Sequence, residues 1–298
     1  MRVLLTGAQG FIGRRLVTRL AAEGAEVLAV DQVPAREPLP PDVRGEVSDL
    51  GNSAALVSRH WKSAGPFSLV HLAWDLQRRD RWSAQAGAVR VLAGLIEDLT
   101  SAGLERVIAM GSAEEYGTRG GRLAEDDAPG LPLSPYGWAK RAAGEMVASW
   151  AGRTGRRALW LRPFVVYGPG QGGDMAIPYA IRRARERAAA DFTDGLQQRD
   201  FVFVDDVVEA IVGGLSAEWR GAELVNLGWG RPVALRDVLD EIARLLGAGD
   251  LFRFGARPRR VGEPEVQVAD TARAEERLGW RPRVEWREGV RRTCGITR

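Results

Sequence analysis

Short apolar runs alternate with longer amphipathic stretches through the first half of this chain, and this alternation constrains the fold more than any other feature. Five runs are predicted to be buried strands: 2–6, 25–30, 67–73, 106–110 and 157–162. The stretches between them are predicted to be helices: 11–23, 52–63, 82–102 and 135–151. Parallel strands need crossovers, which helices supply. The pattern therefore predicts an α/β fold with a doubly wound parallel sheet of the Rossmann type.

The alternation loosens after residue 167. Helices are predicted around 174–189 and at 234–246, and the stretches "RDFVFVDDVVEAI" (199–211) and "AELVNLG" (222–228) lie between them. We expect residues 1–167 to form the domain that contains the sheet, with a return of the chain to it around 200–230. Residues 168–298 are expected to form mainly a smaller domain.

Composition excludes several classes of function. The formal net charge is only +3 and no basic run is interleaved with aromatic residues, so nucleic acid is not an expected partner. The single cysteine, Cys294, cannot form an intrachain disulfide. With only two histidines, His60 and His71, we expect no metal site. No run of about 18 apolar residues occurs, so we predict a cytoplasmic protein without membrane contact.

The stretch "TGAQGFIG" places Gly7, Gly10 and Gly13 between the first strand and the first helix. Glycine lets the backbone turn tightly and approach a pyrophosphate, while the N–H groups at the helix start attract the anion. Glycine-rich turns join strands and helices in many folds, so the spacing alone is weak evidence. In this position after a strand, it predicts a dinucleotide site.

Asp31 follows Gly13 by 18 residues and ends the second predicted strand. An acid at this position accepts hydrogen bonds from a ribose diol and repels a 2′-phosphate. We therefore predict NAD rather than NADP as the cofactor. The alternatives are that Asp31 is a solvated turn residue, or that nearby Arg36 weakens the preference for NAD.

Lysine is rare in this chain. Of 42 basic residues only Lys62 and Lys140 are lysines, and Lys140 lies four residues after Tyr136 in "SPYGWAK". Ammonium is a compact point charge that fits a tight site, whereas guanidinium is a wide planar fork. The presence of lysine rather than arginine at position 140 therefore indicates a role in catalysis.

The residues before Tyr136 predict the start of a helix. Ser134 is a suitable N-cap and Pro135 a suitable first-turn residue, so Tyr136 and Lys140 should share one helix face. At about 4 Å and an effective dielectric near 20, one cation stabilises an adjacent anion by roughly 4 kcal/mol. Lys140 is therefore predicted to lower the pKa of Tyr136 towards neutrality, so that the phenol acts as an acid or base. The alternative is a surface tyrosine beside a solvated lysine.

Ten motifs spread along the chain resemble those of extended short-chain dehydrogenases/reductases, specifically the nucleotide-sugar epimerase/dehydratase group. They are "TGAQGFIG", "VSDL", "HLAW", "GSAEEYG", "SPYGWAK", "LRPFVVYGPGQ", "RDFVFVDDV", "NLG", "RRVGE" and "LGWRP". The resemblance implies that residues 1–167 bind NAD and that residues 168–298 mainly bind a nucleotide-activated sugar. It also implies a homodimer in which the helices near 82–102 and 135–151 pair with their symmetry mates.

The resemblance also implies roles for single residues. Ser112 would hydrogen-bond the reacting sugar oxygen, and Tyr136 would transfer its proton. Substrate contacts are implied for Ser112, Arg199 and Arg260, the last as a ligand of the diphosphate or else as one more surface arginine. Cofactor contacts are implied for Gly7, Gly10, Phe11, Ile12, Gly13, Asp31, Asp49, Leu50, Ala73, Tyr136 and Lys140.

Two positions depart from the family pattern. Val165 replaces the usual Asn before "VYG", which removes a polar group expected near the nucleotide sugar. By the resemblance, 4,6-dehydratases of this family have Thr-Asp-Glu where this chain has Ser112, Ala113 and Glu114. The acid that protonates the leaving hydroxyl is therefore missing, and dehydration is disfavoured. Glu114 itself is expected either to contact the sugar, as a fourth catalytic residue, or to be structural.

The sequence therefore predicts an NAD-dependent enzyme that exchanges hydride with a nucleotide-activated sugar, and carbon 4 is the expected position. Epimerisation through a transient ketone is the first expectation. A 4-keto-6-deoxyhexose reductase is the main alternative, because "GSAEEYG" also resembles such reductases. Decarboxylation of a nucleotide-linked uronic acid is a weaker alternative. A dinucleotide-sensing regulator without catalysis is the rival from another class.

Overall fold

The computed structural model describes residues 1–51, 53–61, 65–173 and 175–296. The chain divides into two compact units. Unit 1 consists of Met1–Glu115, Ser134–Arg162 and Val208–Val225. Unit 2 consists of Tyr116–Leu133, Pro163–Val207 and Asn226–Arg298. Within the described ranges, no helix is both long and apolar enough to cross a membrane.

The strands are numbered in chain order. They are β1 (Arg2–Thr6), β2 (Glu26–Asp31), β3 (Val43–Val47), β4 (Phe67–His71), β5 (Leu104–Met110), β6 (Gly121–Leu123), β7 (Arg157–Pro163), β8 (Val165–Tyr167), β9 (Ala190–Asp191), β10 (Gln198–Arg199), β11 (Phe201–Phe203), β12 (Ala222–Leu227), β13 (Val233–Ala234), β14 (Phe252–Arg253) and β15 (Val266–Ala269).

The α-helices are numbered in the same way. They are α1 (Phe11–Ala22), α2 (Ser53–His60), α3 (Trp82–Ser101), α4 (Pro135–Thr154), α5 (Ala176–Arg185), α6 (Val204–Ser216), α7 (Leu235–Leu246), α8 (Ala272–Leu278) and α9 (Trp286–Thr293). Short 3-10 turns occur at Ala113–Tyr116 and Gly249–Leu251.

A seven-stranded sheet with the order β3-β2-β1-β4-β5-β7-β12 forms the centre of unit 1. The pairs β1–β2, β1–β4, β2–β3, β4–β5 and β5–β7 are parallel. The winding direction reverses between β1 and β4, where a crevice opens at the carboxyl ends of the strands in folds of this kind. The predicted α/β fold with a doubly wound sheet is confirmed.

Most predicted elements of the first half lie within a few residues of the observed bounds. The strand β3 was missed, because its sequence VRGEV is largely exposed and lacks an apolar run. The predicted helices 52–63 and 174–189 begin or end at residues outside the described ranges. The described parts of these segments contain α2 and α5.

The core of unit 1 explains why these runs are apolar. Side chains from the central strands pack against residues of α3 and α4, and the largest of them are fully buried. The cluster includes Leu4, Leu28, Leu69, Val107, Leu92, Leu95, Ile96, Leu99, Ala143, Val147 and Trp160. Burial on both faces of the sheet accounts for strand sequences that do not alternate.

Helix α4 begins as predicted. The Ser134 hydroxyl accepts a hydrogen bond from the Gly137 N–H at 3.0 Å, and Pro135 occupies the first helical position. The helix ends at Gly155, whose φ of 68° is left-handed. Both ends of the helix are thus fixed by local sequence, which sets the register of Tyr136 and Lys140.

Unit 2 contains a four-stranded sheet, β13-β10-β15-β6, and two strand pairs, β11–β8 and β14–β9. Strand β10 pairs parallel with β15 and antiparallel with β13. The helices α5, α7, α8 and α9 belong to this unit. Helix α6 carries the chain from unit 2 into unit 1, whose third segment ends in β12.

Candidate active site

The glycine turn is built so tightly that side chains cannot be added. Gly7 has a φ of +74°, and a Cβ on it would lie 2.6 Å from the backbone nitrogen of Ala73. A Cβ on Gly13 would collide with the carbonyl oxygen of Gly7. The end of β1, the start of α1 and the chain after β4 therefore meet at backbone distance. The cofactor contact of Ala73 stays a prediction.

The first turn of α1 offers N–H groups to a ligand. Its N-cap is Gly10, which has no side chain to cap the helix, and Phe11 and Ile12 are its first residues. The Gly7 N–H donates to the carbonyl of Val30 at 3.0 Å, so the turn is tied to β2. A helix start of this kind favours an anion such as a pyrophosphate.

Asp31 lies at the end of β2, beside this turn. One carboxylate oxygen accepts the Gln9 N–H at 2.8 Å, and the other accepts the Gln32 N–H at 2.8 Å and the Val33 N–H at 3.4 Å. These bonds orient the carboxylate and leave part of its acceptor capacity for a ribose hydroxyl. The glycine cradle, the open helix start and this carboxylate fit the dinucleotide NAD.

Asp49 and Leu50 form a turn after β3. The Ser48 N–H donates to the backbone carbonyl of Asp31 at 2.9 Å, which places the turn beside the end of β2. Leu50 has a φ of 69°, and its N–H donates to the Ser48 hydroxyl at 3.1 Å. Asp49 is exposed, and its carboxylate accepts the Gly51 N–H at 3.0 Å. Their predicted place beside an adenine remains a prediction.

Ser112 follows β5 and is held by Glu115. The Glu115 carboxylate is buried and accepts the Ser112 N–H at 2.8 Å and the Trp160 indole N–H at 3.0 Å. Its other oxygen accepts two hydrogen bonds from Arg162. The Ser112 hydroxyl accepts the Glu114 N–H at 3.2 Å. Glu115 therefore fixes the backbone that carries the predicted catalytic serine.

Tyr136 is half-buried, and its pKa is raised rather than lowered. Burial raises it most, followed by the negative charge of Glu114, while Arg79 and a hydrogen bond with Ser112 act in the opposite direction. The guanidinium carbon of Arg79 lies 5.1 Å from the Tyr136 ring centroid. The prediction that Lys140 brings the Tyr136 pKa towards neutrality is wrong for this structure, in which Arg79 is the cation that lowers it.

Lys140 is buried, with 4% of its surface exposed. Its Nζ donates to the carbonyl of Met110 at 2.7 Å and lies 3.5 Å from the ring centroid of Trp74. The Tyr136 ring centroid is 5.7 Å away. Burial lowers the pKa of Lys140 to about 7, against the opposing effect of Glu115. Tyr136 and Lys140 are thus brought together, and the alternative of a solvated lysine is wrong.

Glu114 has protein partners on both oxygens. One forms an ion pair with Arg79, and the other accepts the Ser134 hydroxyl at 2.6 Å. This network joins the chain after β4, the turn after β5 and the start of α4. It is consistent with the structural alternative for Glu114, and it places a carboxylate near Tyr136.

The predicted substrate residues Arg199 and Arg260 belong to unit 2. Arg199 forms a short ion pair with Glu263 of the "RRVGE" motif and donates to the carbonyl of Gln198 at 2.8 Å. Arg260 is exposed. A cavity of about 140 Å³ in the same unit is lined by Val165, Val166, Gln171, Met175, Ala176, Ile177, Pro178, Gln197, Arg199, Phe201, Leu235 and Glu263. Val165, which replaces the usual Asn, is therefore part of a largely apolar lining.

Comparison with known proteins decides the family. The sequence model of the NAD dependent epimerase/dehydratase family matches residues 3–228. The chain belongs to this family. It is an NAD-dependent enzyme of the extended short-chain dehydrogenase/reductase type, as the motifs predicted.

Several members of the family are similar along nearly their whole length. UDP-glucose 4-epimerase of Mycolicibacterium smegmatis is 31% identical over 324 residues, which cover 100% of this chain and 99% of the relative. dTDP-6-deoxy-L-talose 4-dehydrogenase (NAD(P)(+)) of Kitasatospora kifunensis is 31% identical over 309 residues, which cover 97% and 93%. The solved structure of MoeE5 in complex with UDP-glucuronic acid and NAD is 36% identical, with a TM-score of 0.86 and coverage of 99% and 98%.

Three residues that contact the predicted catalytic residues were not predicted from the sequence: Trp74, Arg79 and Glu115. Trp74 and Glu115 lie in the quoted motifs "HLAW" and "GSAEEYG", beside the residues that were selected. Arg79 belongs to the arginine-rich run "QRRDR", where no local signal distinguishes it. Their importance follows from partners that are distant in sequence.

Proposed function

We propose that this enzyme is a nucleoside-diphosphate-hexose 4-epimerase that uses bound NAD and passes through a 4-keto sugar. The observation that carries the proposal is the grouping of Ser112, Tyr136 and Lys140 beside the glycine turn. Gly7 contacts Ala73, and the next residue, Trp74, contacts Lys140. A proton-transfer group and a dinucleotide cradle are thus adjacent in unit 1.

In the forward half of the reaction, Tyr136 takes the proton of the sugar 4-hydroxyl and Ser112 hydrogen-bonds the same oxygen. A bound NAD, held by the glycine turn and Asp31, would supply a reversible hydride acceptor for carbon 4, and the ketone would receive the hydride back on its opposite face. Tyr136 then gives its proton back to the oxygen. Protons and electrons balance over the cycle, so no cofactor is consumed.

The raised pKa of Tyr136 sets a requirement for this chemistry. The phenol is protonated near neutral pH, so its action as a base needs positive charge close to the hydroxyl. Arg79, whose guanidinium carbon lies 5.1 Å from the Tyr136 ring centroid, is a cation that lowers this pKa, and the Lys140 Nζ lies 5.7 Å from the same centroid. Asp31, which favours NAD, supports retention of the cofactor through the cycle.

Substrate contacts outside the reacting carbon are proposed for unit 2. Arg260 is exposed and able to offer a bidentate fork to a diphosphate. Arg199 already donates to the Glu263 carboxylate and to the Gln198 carbonyl. A contact between Arg199 and the substrate would therefore have to form beside these two hydrogen bonds. Since MoeE5 structures contain UDP-glucuronic acid or UDP-glucose, a UDP-hexose is the proposed substrate.

A 4-ketosugar reductase is the second candidate. A tyrosine that stays protonated near neutral pH is suited to donate a proton to a ketone oxygen, and the relative from Kitasatospora kifunensis is named as a 4-dehydrogenase. Decarboxylation is a weaker alternative, and the rival hypothesis of a regulator without catalysis is wrong, because the chain belongs to a family of NAD-dependent enzymes.

The test is incubation of the purified protein with UDP-glucose or UDP-glucuronic acid and analysis of the products by NMR. Appearance of the 4-epimer without net change in absorbance at 340 nm supports the proposal. NADH oxidation in proportion to an added 4-keto-6-deoxy nucleotide sugar, without epimer formation, supports the reductase instead.

A further inference from the structure

Trp74 contacts the catalytic lysine through the face of its ring. The Lys140 Nζ lies 3.5 Å from the ring centroid, which is within the range of a strong cation–π contact. Because the backbone of Ala73 lies against Gly7, the chain position of Trp74 is fixed by the glycine turn. The indole and the ammonium ion therefore meet at a defined place rather than on a mobile surface.

Gln85 of α3 sets the orientation of this indole. The side chain of Gln85 is fully buried, and its oxygen accepts the Trp74 indole N–H at 2.8 Å. Its amide nitrogen donates to the backbone carbonyls of Asp75 at 2.9 Å and Arg78 at 3.2 Å. Two carbonyl acceptors and one N–H donor allow only one orientation of the amide, so every polar atom of Gln85 is used to hold Trp74 and the loop after it.

We propose that Trp74, oriented by Gln85, is a positioning residue that keeps the Lys140 side chain charged and in place by a cation–π contact. The indole offers a negative ring face where water cannot reach the ammonium ion, and the Met110 carbonyl provides one hydrogen bond on another side. The inference rests on the proposed function only in assigning Lys140 a catalytic role; the contact itself does not depend on it.

Other charged or titratable groups act on Lys140 and are common to all variants tested. Glu115 raises the lysine pKa, and burial lowers it. His71 of β4 is buried beside Thr6, and burial and the charge of Lys140 hold its pKa at about 3, so it is neutral. Tyr136 of α4 is protonated near neutral pH. Removal of the Trp74 ring leaves all of these groups in place, so a shift in the Lys140 pKa reports the loss of the ring.

The rarity of lysine makes a direct measurement possible. Protein labelled with ¹³C-lysine gives side-chain signals from Lys62 and Lys140 alone, and a Lys62→Arg variant assigns them. Titration of the Cε signals yields the pKa of Lys140 without any assay of activity. We expect Trp74→Leu to lower this pKa by about one pH unit, since the ring face is lost. Trp74→Phe keeps a smaller ring and should lower this pKa by about half as much.

A Trp74→Leu protein that titrates within about 0.3 pH unit of wild type would overturn the proposal, as would equal shifts for the leucine and phenylalanine variants. If Trp74→Leu does not fold, Trp74→Phe alone decides, because an unchanged or raised pKa contradicts the contact. In the epimerase assay at neutral pH, Trp74→Leu should turn over more slowly than Trp74→Phe, because a smaller fraction of its Lys140 is charged. If the Lys140 pKa shifts as expected but the wild-type enzyme forms no epimer, the result contradicts the proposed function and leaves the role of Trp74 intact.

Discussion

Arg162 donates two hydrogen bonds to one carboxylate oxygen of Glu115, from Nε at 3.0 Å and from Nη2 at 2.9 Å. Both side chains are nearly buried, with 11% and 2% of their surfaces exposed. The second oxygen of Glu115 binds the Ser112 N–H and the Trp160 indole. One carboxylate thus joins β7 to the turn that carries Ser112, the serine that we propose to be catalytic.

We predict that Glu115→Gln lowers the free energy of unfolding by about 3 kcal/mol, because a neutral amide then faces a buried guanidinium. Urea unfolding followed by circular dichroism measures the change. The control is Glu145→Gln, whose exposed pair with Arg141 should contribute less than about 0.5 kcal/mol. Equal losses in the free energy of unfolding for the two substitutions would show that the buried pair stabilises the fold no more than the exposed pair does.

Tyr136→Phe should abolish turnover while leaving the fold and NAD binding nearly intact, since only the transferable proton is lost. Acid–base groups contribute roughly 100-fold or more to the rate. The rate of epimer formation and the NAD content of the purified protein are the measurements. Tyr179→Phe is the matched control, because Tyr179 is half-buried in unit 2 and packs its ring on Phe192. More than about a tenth of the wild-type rate in Tyr136→Phe would remove it from the mechanism.

Opposite charges beside Tyr136 predict opposite effects on the pH profile. Glu114 raises the pKa of Tyr136, so Glu114→Gln should move the acidic limb of kcat to lower pH, by about half a unit to one unit. Arg79 lowers that pKa, so Arg79→Met should move the same limb to higher pH. The sign follows because the limb reports formation of the phenolate. Shifts in the same direction would contradict this assignment.

Sequence reasoning succeeded where the signal is local. Tyr136, Lys140 and the glycine turn lie in short motifs, and the Ser134 cap could be read from adjacent residues. It failed where a partner is distant in sequence. Glu115 accepts its hydrogen bonds from Arg162, which is 47 residues away. The pKa of Tyr136 depends on Glu114 and Arg79, which lie in other motifs or loops. Burial of Tyr136 and Lys140 could not be read from spacing, and burial decides the direction of both pKa shifts.

We propose a homodimer that uses α3 and α4. Trp82 and Trp138, near the starts of these helices, form an edge-to-face pair with centroids 5.6 Å apart, yet 60% and 37% of their surfaces are exposed. Val91 of α3 is 40% exposed. Exposed apolar side chains on neighbouring helices suit a two-fold interface in which each helix meets its symmetry mate.

Light scattering at micromolar concentration should therefore give twice the 32.5 kDa of one chain. Val91→Glu should shift the protein to the monomer, because a charge would be buried in the interface. The control is Val261→Glu in unit 2, where the side chain is 92% exposed. A wild-type monomer at this concentration would rule out the interface.

The last prediction concerns Asp31 and the choice of cofactor. Its carboxylate is oriented by the N–H groups of Gln9, Gln32 and Val33, so a 2′-phosphate at the adenosine ribose would meet a fixed negative charge. NADP should bind at least about tenfold more weakly than NAD, since like charges in a partly enclosed site cost a few kcal/mol. Calorimetric titration of both dinucleotides measures the ratio.

Asp31→Asn should narrow the NAD preference by removing the repulsion; its single amide oxygen can still accept the Gln32 and Val33 N–H groups, while the hydrogen bond from the Gln9 N–H is lost. Asp237→Asn, on the exposed surface of α7, carries the same change in charge and should leave the ratio of affinities unchanged. Arg36, whose N–H donates to the Gln9 side chain at 3.4 Å, is the nearby cation that could favour NADP. A clear preference of the wild-type protein for NADP would therefore transfer the selecting role from Asp31 to Arg36, and Arg36→Gln should then abolish that preference.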